Sequence, residues 1–134
     1  MSDTVHVEIS DGVAVVTLNR PERLNALNAE IRMAFLEAVS KVADDAHVGC
    51  VVVTGAGRGF CAGGDTKAGA EGSTRQGSPS GGELRRDAEA VRLLREMPKP
   101  TIAMINGPVA GAGIGIAGSC DLRFAARTAT FVSA

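Results

Sequence analysis

The chain has no tryptophan and no tyrosine, and its only aromatic residues are four phenylalanines among 134 residues. It therefore lacks the rings that usually stack on bases. With 14 basic against 15 acidic residues it also lacks the positive surplus that a phosphate backbone attracts. Nucleic acid is not expected as a partner. Long hydrophobic runs are missing as well. The longest apolar-plus-glycine stretch, Pro108 to Gly118, is too short to span a bilayer, so no membrane partner is expected. Met1-Ser2-Asp3-Thr4 shows no basic stretch followed by an apolar run, and so no secretory signal. Cys50, Cys61 and Cys120 are odd in number and widely spaced, which fits neither a disulfide framework nor a zinc site. The expected setting is a reducing cytoplasm. The two histidines, His6 and His47, fall in an edge-like strand and a helix-exit turn and read as surface residues. With no Gly-x-Ser-x-Gly and no Gly-Lys-Ser/Thr, neither a hydrolytic triad nor a phosphate-cradling Walker loop is supported.

Glycine is what the chain has in excess: 17 of 134 residues, against an average of about 7%. The glycines follow no collagen period, and their clustering points to backbone that must approach a ligand or another segment closely. Between the clusters the hydrophobic pattern alternates in type. Val5, Val7 and Ile9 have period two, Asp11-Gly12 is a hairpin signal, and Val13 to Leu18 reads as a strand buried on both faces. Asn28 is a natural N-cap for a helix of roughly 28–44, whose apolar stripe is Ile31, Phe35, Ala38, Val39 and Val42. Residues 49–54 and 101–106 read as buried strands, and 69–82 as a polar surface loop. Leu84, Ala88, Val91 and Leu94 mark a helix stopped by Pro98 and Pro100. Residues 107–118 enter a helix of small residues, and 122–126 and 130–132 are short strands. The alternation predicts an α/β fold with a largely parallel sheet and flanking helices.

Two glycine-rich segments, Gly55–Asp65 and Gly107–Gly118, each follow a buried strand and each lead into a helix. Gly113-Ile114-Gly115-Ile116-Ala117-Gly118 matches the dinucleotide pattern G-x-G-x-x-G, but it lies inside the predicted helix and far from the first strand, which is the wrong context for that fingerprint. Backbone N–H groups at helix starts are unpaired, so two such loops can converge on one oxygen and stabilise negative charge there. Close packing of helices around small residues explains the same glycines equally well.

Four segments carry a family resemblance: Val15-Val16-Thr17-Leu18-Asn19-Arg20-Pro21-Glu22 through Asn25-Ala26-Leu27; Val51 to Gly55 with Phe60-Cys61-Ala62-Gly63-Gly64-Asp65; Lys99 to Ala103 with Asn106-Gly107 through Gly113; and Cys120-Asp121. The chain resembles the N-terminal half of the crotonase superfamily, the enoyl-CoA hydratase/isomerase enzymes. The resemblance implies a crotonase-like ββα spiral core and, over residues 1–134, a chain that stops before the family's C-terminal helices. It implies an acyl-CoA thioester substrate of the kind met in fatty acid metabolism, with coenzyme A arriving as part of the substrate and no separate cofactor. It implies a lyase or isomerase in a homo-oligomer, a trimer or hexamer. By motif position the enolate oxygen would be held by the backbone N–H groups of Gly64 and Ala112. Substrate contacts would fall on Arg23, Ala26 and Leu27, on Ala62, Asp65, Thr66 and Lys67, and on Gly111. Arg23 and Lys67 read equally as CoA-phosphate contacts or solvated charges. Asp65 reads first as a brace or cap and second as a proton-transfer group, and Asp121 reads as structural. Two departures stand out. Gly115 occupies the position where the family's hydratases carry a glutamate, and members of the family are about twice as long. Phe131-Val132-Ser133-Ala134 is most similar to the phenylacetate-pathway isomerase branch. The alternative is a chain that binds acyl-CoA or assembles with partners without catalysis, and half of such a fold is expected to expose apolar surface.

Overall fold

The computed structural model describes residues 2–65 and 80–133. Strand β1 (Val5–Ser10) and strand β2 (Val13–Leu18) form an antiparallel hairpin, with Val5 opposite Leu18 and Ser10 opposite Val13. Asp11 and Gly12 take φ of +52° and +80°, the two positive values that a tight two-residue hairpin turn needs. A short 3₁₀ turn, Pro21–Arg23, leads to helix α1 (Ala29–Asp44). The Asn28 side chain accepts from the Ile31 N–H at 3.0 Å, and Ile31, Phe35, Ala38, Val39 and Val42 are buried, as the apolar stripe predicts.

Strand β3 (Cys50–Gly55), helix α2 (Gly81–Glu96), strand β4 (Thr101–Ile105), the two-residue strand β5 (Val109–Ala110), helix α3 (Ala112–Ser119), strand β6 (Leu122–Ala125) and strand β7 (Phe131–Val132) complete the order. The main sheet runs β1-β2-β3-β4-β6, parallel from β2 onward, and β5 pairs in parallel with β7 in a second small sheet. This is the predicted α/β architecture with a largely parallel sheet. The core lies between α1 and one sheet face: Ala14, Val16 and Leu18 of β2, Val51 and Val53 of β3, and Ala103 and Ile105 of β4. Asp121 ties β4 to the start of β6, its carboxylate accepting from the Thr101 N–H at 2.9 Å.

Three expectations need correction. Strand β2 is fully buried on one face only; Val13, Val15 and Thr17 on the other are half-buried. The loop expected over 69–82 overlaps a helix, because Ser80 and Glu83 form a reciprocal capping box that starts α2 at Gly81; the remainder of that loop lies outside the described residues. The inward row of α2 is Asp87, Ala90, Val91 and Leu94, whereas Leu84 and Ala88 are exposed. Leu122, Phe124, Phe131 and Val132 are all more than half exposed.

Gly115 sits exposed in α3, and a Cβ placed there meets no atom within 4 Å. Gly115→Ala is therefore expected to add about 0.5–1 kcal/mol of stability by restricting the unfolded chain. A rise in the denaturant midpoint checks this.

Candidate functional site

The loop after β3 is held from two sides by asparagines. Asn25, fully buried, accepts the Arg20 N–H on its Oδ1 at 2.7 Å and donates from Nδ2 to the carbonyls of Ala56 (3.1 Å) and Gly59 (2.9 Å). Asn106, at the end of β4, donates to the carbonyls of Gly57 and Gly59, both at 3.0 Å, and accepts the Gly55 N–H at 3.2 Å. These amides satisfy carbonyls that a sharply folded loop would otherwise leave unpaired. Leu24 and Asn25 take φ of +51° and +59°, conformations that L-residues rarely adopt, where the turn folds back on the loop.

That turn then runs alongside the loop. The Ala62 N–H donates to the Leu24 carbonyl at 3.0 Å, the Leu27 N–H to the Gly63 carbonyl at 2.7 Å, and the Asp65 N–H to the Leu27 carbonyl at 3.1 Å. Leu27 thus pairs with the residues on either side of Gly64, and the N–H of Gly64, an exposed residue, points away from it.

The second glycine loop is zipped to the first. The Phe60 N–H donates to the Pro108 carbonyl at 3.1 Å and the Ala110 N–H to the Cys61 carbonyl at 3.0 Å. Gly63, at φ +87°, lies so close to the other loop that a Cβ would stand 2.9 Å from the Ala110 carbonyl oxygen and 3.4 Å from the Gly111 Cα. Gly111 is fixed in turn by its N–H to the Val132 carbonyl at 3.2 Å. Gly64 and Ala112 are the residues immediately after this contact on their two loops. Ala112 is also the first residue of α3, so its N–H has no acceptor within the helix.

The structure brings most of the predicted site residues together. Ala62, Gly64, Asp65 and Gly111 sit along the paired loops, and Arg23, Ala26 and Leu27 on the turn beside them; Ala26 and Leu27 are buried. Arg23 forms no ion pair among the described residues. Thr66 and Lys67 lie outside the described residues. Asp65 faces Arg20, whose Nη2 donates to its Oδ2 at 2.9 Å, and the carboxylate is 6% exposed. Arg20 also donates to the Ala26 carbonyl at 2.5 Å, so one guanidinium joins the turn to the loop. Asp65→Asn is expected to lose about 1–3 kcal/mol of stability by weakening this charged hydrogen bond. Equilibrium unfolding in urea measures it.

Sequence reading missed four side chains that shape the site: Arg20, Asn106, Arg32 and Asp87. The first two were visible only as parts of motifs. Arg32 and Asp87 are 55 residues apart and meet through the packing of α1 against α2. Arg32 is nearly buried; its Nε lies 3.1 and 3.0 Å from the two oxygens of Asp87, and its Nη1 3.6 Å from Glu83. Burial raises the Asp87 pKa and the Arg32 charge opposes it. A small pocket of about 20 Å³ opens here, lined by Leu27, Phe35, Ile116, Ala112, Arg32 and Asp87. Cys61 is not a nucleophile at neutral pH, because burial pushes its thiol up to about 11. No group of His, Cys, Asp or Glu among the described residues is placed to hold a metal, and no helix among them is long and apolar enough to cross a membrane.

Comparison with known proteins returns one family. The sequence model described as enoyl-CoA hydratase/isomerase matches residues 8–134. The chain is 40% identical to the 1,2-epoxyphenylacetyl-CoA isomerase of Escherichia coli (strain K12), across 100% of this chain and 52% of that protein. It is 39% identical to a probable enoyl-CoA hydratase of Rhodobacter capsulatus, across 98% of this chain and 49% of that protein. Among solved structures, an enoyl-CoA hydratase/isomerase from Xanthobacter autotrophicus Py2 superposes with a TM-score of 0.88 at 37% identity, covering 99% of this chain and 49% of that one. The chain spans about half the length of the curated relatives it matches.

Proposed function

Because the chain belongs to the enoyl-CoA hydratase/isomerase family of crotonase-fold proteins, we propose that it binds an acyl-CoA thioester and holds the thioester oxygen between the backbone N–H groups of Gly64 and Ala112. The observation that carries this reading is the contact of Gly63 with Ala110 and Gly111, which joins the two loops one residue before Gly64 and Ala112. Removing the proton next to a thioester moves charge onto that oxygen. Two fixed donors aimed there stabilise the enolate without reorganising, the form of catalysis in which preorganised dipoles contribute most. The first turn of α3 adds a partial positive charge at the same place.

The turn carrying Arg23, Ala26 and Leu27 and the segment Ala62 to Lys67 supply the coenzyme A contacts, with Gly111 against the acyl end; Arg23, which has no ion-pair partner among the described residues, is the cation on offer to a phosphate. No cofactor beyond the coenzyme A of the substrate is required. Gly115 offers no acid for activating water, which favours isomerisation over hydration. The name of the Escherichia coli relative, an epoxyphenylacetyl-CoA isomerase, supports the same choice. A second reading, assembly with another copy or chain, draws on the exposed Leu122, Phe124, Phe131 and Val132, and is compatible with the first.

The test is a panel of unsaturated and aryl acyl-CoA thioesters given to the protein expressed over its full reading frame. Exchange of the α-proton with D2O is followed by mass spectrometry alongside turnover. Exchange and double-bond migration are the expected results. Neither binding nor exchange with any thioester would overturn the reading.

A further inference from the structure

We propose that the outer edge of β1 is a docking surface for a second copy of this chain, the two β1 strands pairing antiparallel so that the two sheets become one. This interface is independent of the thioester seat, and it lies at the opposite edge of the main sheet from the exposed residues of β6.

Strand β1 is the outermost strand of that sheet and is bonded to β2 alone. The Thr4 carbonyl accepts from the Asn19 N–H at 2.7 Å, which makes Thr4 and Asn19 a hydrogen-bonded pair. Such pairs alternate along an antiparallel ladder, so His6, Glu8 and Ser10 also turn their backbone groups toward β2. The N–H and C=O groups of Val5, Val7 and Ile9 therefore point outward, and nothing among the described residues bonds them. Sheet edges are commonly blunted by a lysine, a proline or a bulge. The strand Val5–Ser10 has neither residue, and its register with β2 runs unbroken. Val7 and Ile9 share the α1 side of the sheet with Val16 and Ala14, yet they are 43% and 45% exposed. With Val5 they floor an open groove of about 500 Å³ between β1 and α1, whose other wall includes Ala34, Ala38 and Val42.

The order of side chains along β1 selects a second copy as the occupant. With Val5, Val7 and Ile9 facing outward, an antiparallel β1 can be centred on His6, Val7 or Glu8. Centring on His6 sets imidazole against imidazole, and centring on Glu8 sets carboxylate against carboxylate. Neither brings opposite charges together, and like charges directly opposite oppose pairing. Centring on Val7 sets His6 opposite Glu8 of the second copy twice over, Val5 opposite Ile9, and Val7 opposite itself. The two His6–Glu8 pairs then fall at non-hydrogen-bonded positions, where facing side chains approach most closely. Within its own chain His6 Nε2 lies 3.2 Å from the Asn19 amide nitrogen, which leaves Nδ1 for the carboxylate. The six apolar side chains of the two strands form one continuous floor on the α1 side.

The experiment is sedimentation equilibrium over a range of concentrations, on the protein expressed over its full reading frame, on His6→Glu, on Glu8→Lys and on an equimolar mixture of the two variants. Each single variant meets its own copy with like charges, and its pairwise association is expected to weaken by about 10-fold or more. In the mixture each variant meets the other with opposite charges, and association is expected to return to the parental strength. Val7→Pro removes an outward N–H that β2 does not use, and is expected to abolish the pairing with the strand content intact by circular dichroism. Val7→Cys is expected to oxidise to a dimer linked at position 7 of both copies, since the Cα atoms of such a pair lie about 5.5 Å apart. Val5→Cys, at a position that faces residue 9 of the other copy, is expected to give no such link. A parent that stays monomeric at every concentration would overturn the proposal and leave the edge to a segment of another protein. Association that neither charge variant weakens, or a mixture no stronger than its components, would overturn it as well. Should Val7→Pro not fold, the exposed charge variants and the link at position 7 decide the matter.

Discussion

Ala112→Pro is expected to lower acyl-CoA turnover by about 10²–10³-fold with the fold intact, the range seen when one donor of a preorganised pair is lost. The position suits the experiment. Ala112 is the first residue of α3, where proline is well tolerated because the N–H it removes has no helical acceptor. The preceding Gly111 is at φ +53° and ψ −124°, outside the helical region that a following proline disfavours. The first bond of the turn, from the Ile114 N–H to the Gly111 carbonyl at 3.0 Å, does not involve the Ala112 nitrogen. The substitution therefore removes the N–H and puts the ring Cδ in its place, while leaving the helix bonds intact. Turnover with the best substrate of the panel, set beside circular dichroism and thermal melting, separates loss of a donor from loss of structure. Unchanged turnover in a folded variant would show that this N–H plays no part.

Gly107→Ala is expected to destabilise the protein by at least about 3 kcal/mol, a large share of the ~5–15 kcal/mol that holds a typical domain. A Cβ at this position would stand 1.9 Å from the carbonyl oxygen of Arg58 and 3.2 Å from the Cα of Gly59. Both neighbours are backbone, and the same stretch is held by Asn25 and Asn106 through the Gly59 carbonyl. No rotamer change relieves the clash; the two loops would have to part, and the contact between Gly63 and Gly111 lies on the same seam. Urea unfolding gives the stability change, and soluble expression of Gly107→Ala at parental stability would contradict the close approach of the loops.

Much of the architecture was legible because its signals are local. Asp11-Gly12 specified a hairpin, Asn28 with the Ile31 to Val42 stripe specified α1, and β-branched runs marked the parallel strands. What escaped depends on partners remote in sequence. Leu84 looked like the start of an inward stripe, yet the face of α2 is set by what α1 presents to it, and Arg32 draws Asp87 inward while Leu84 stays in solvent. An aspartate three residues before Ala90 reads as a surface charge until its arginine is located. Strand β2 looked buried on both faces because its sequence is apolar throughout, whereas the helices cover one side. At the site, Gly64 and Ala112 were placed by resemblance to a family, since no local pattern shows that two glycine loops touch. The amide brackets of Asn25 and Asn106 bind carbonyls of another segment, and side chain–backbone bonds of that kind leave no periodic trace.

If the thioester oxygen sits between the two backbone N–H groups, the carbonyl stretch of a bound ¹³C-labelled acyl-CoA reports it. In the unsubstituted protein the band is expected to move to lower frequency than in free solution, and Ala112→Pro is expected to return it most of the way while coenzyme A still binds. A thioester bound to the unsubstituted protein with its carbonyl band unmoved would contradict the account.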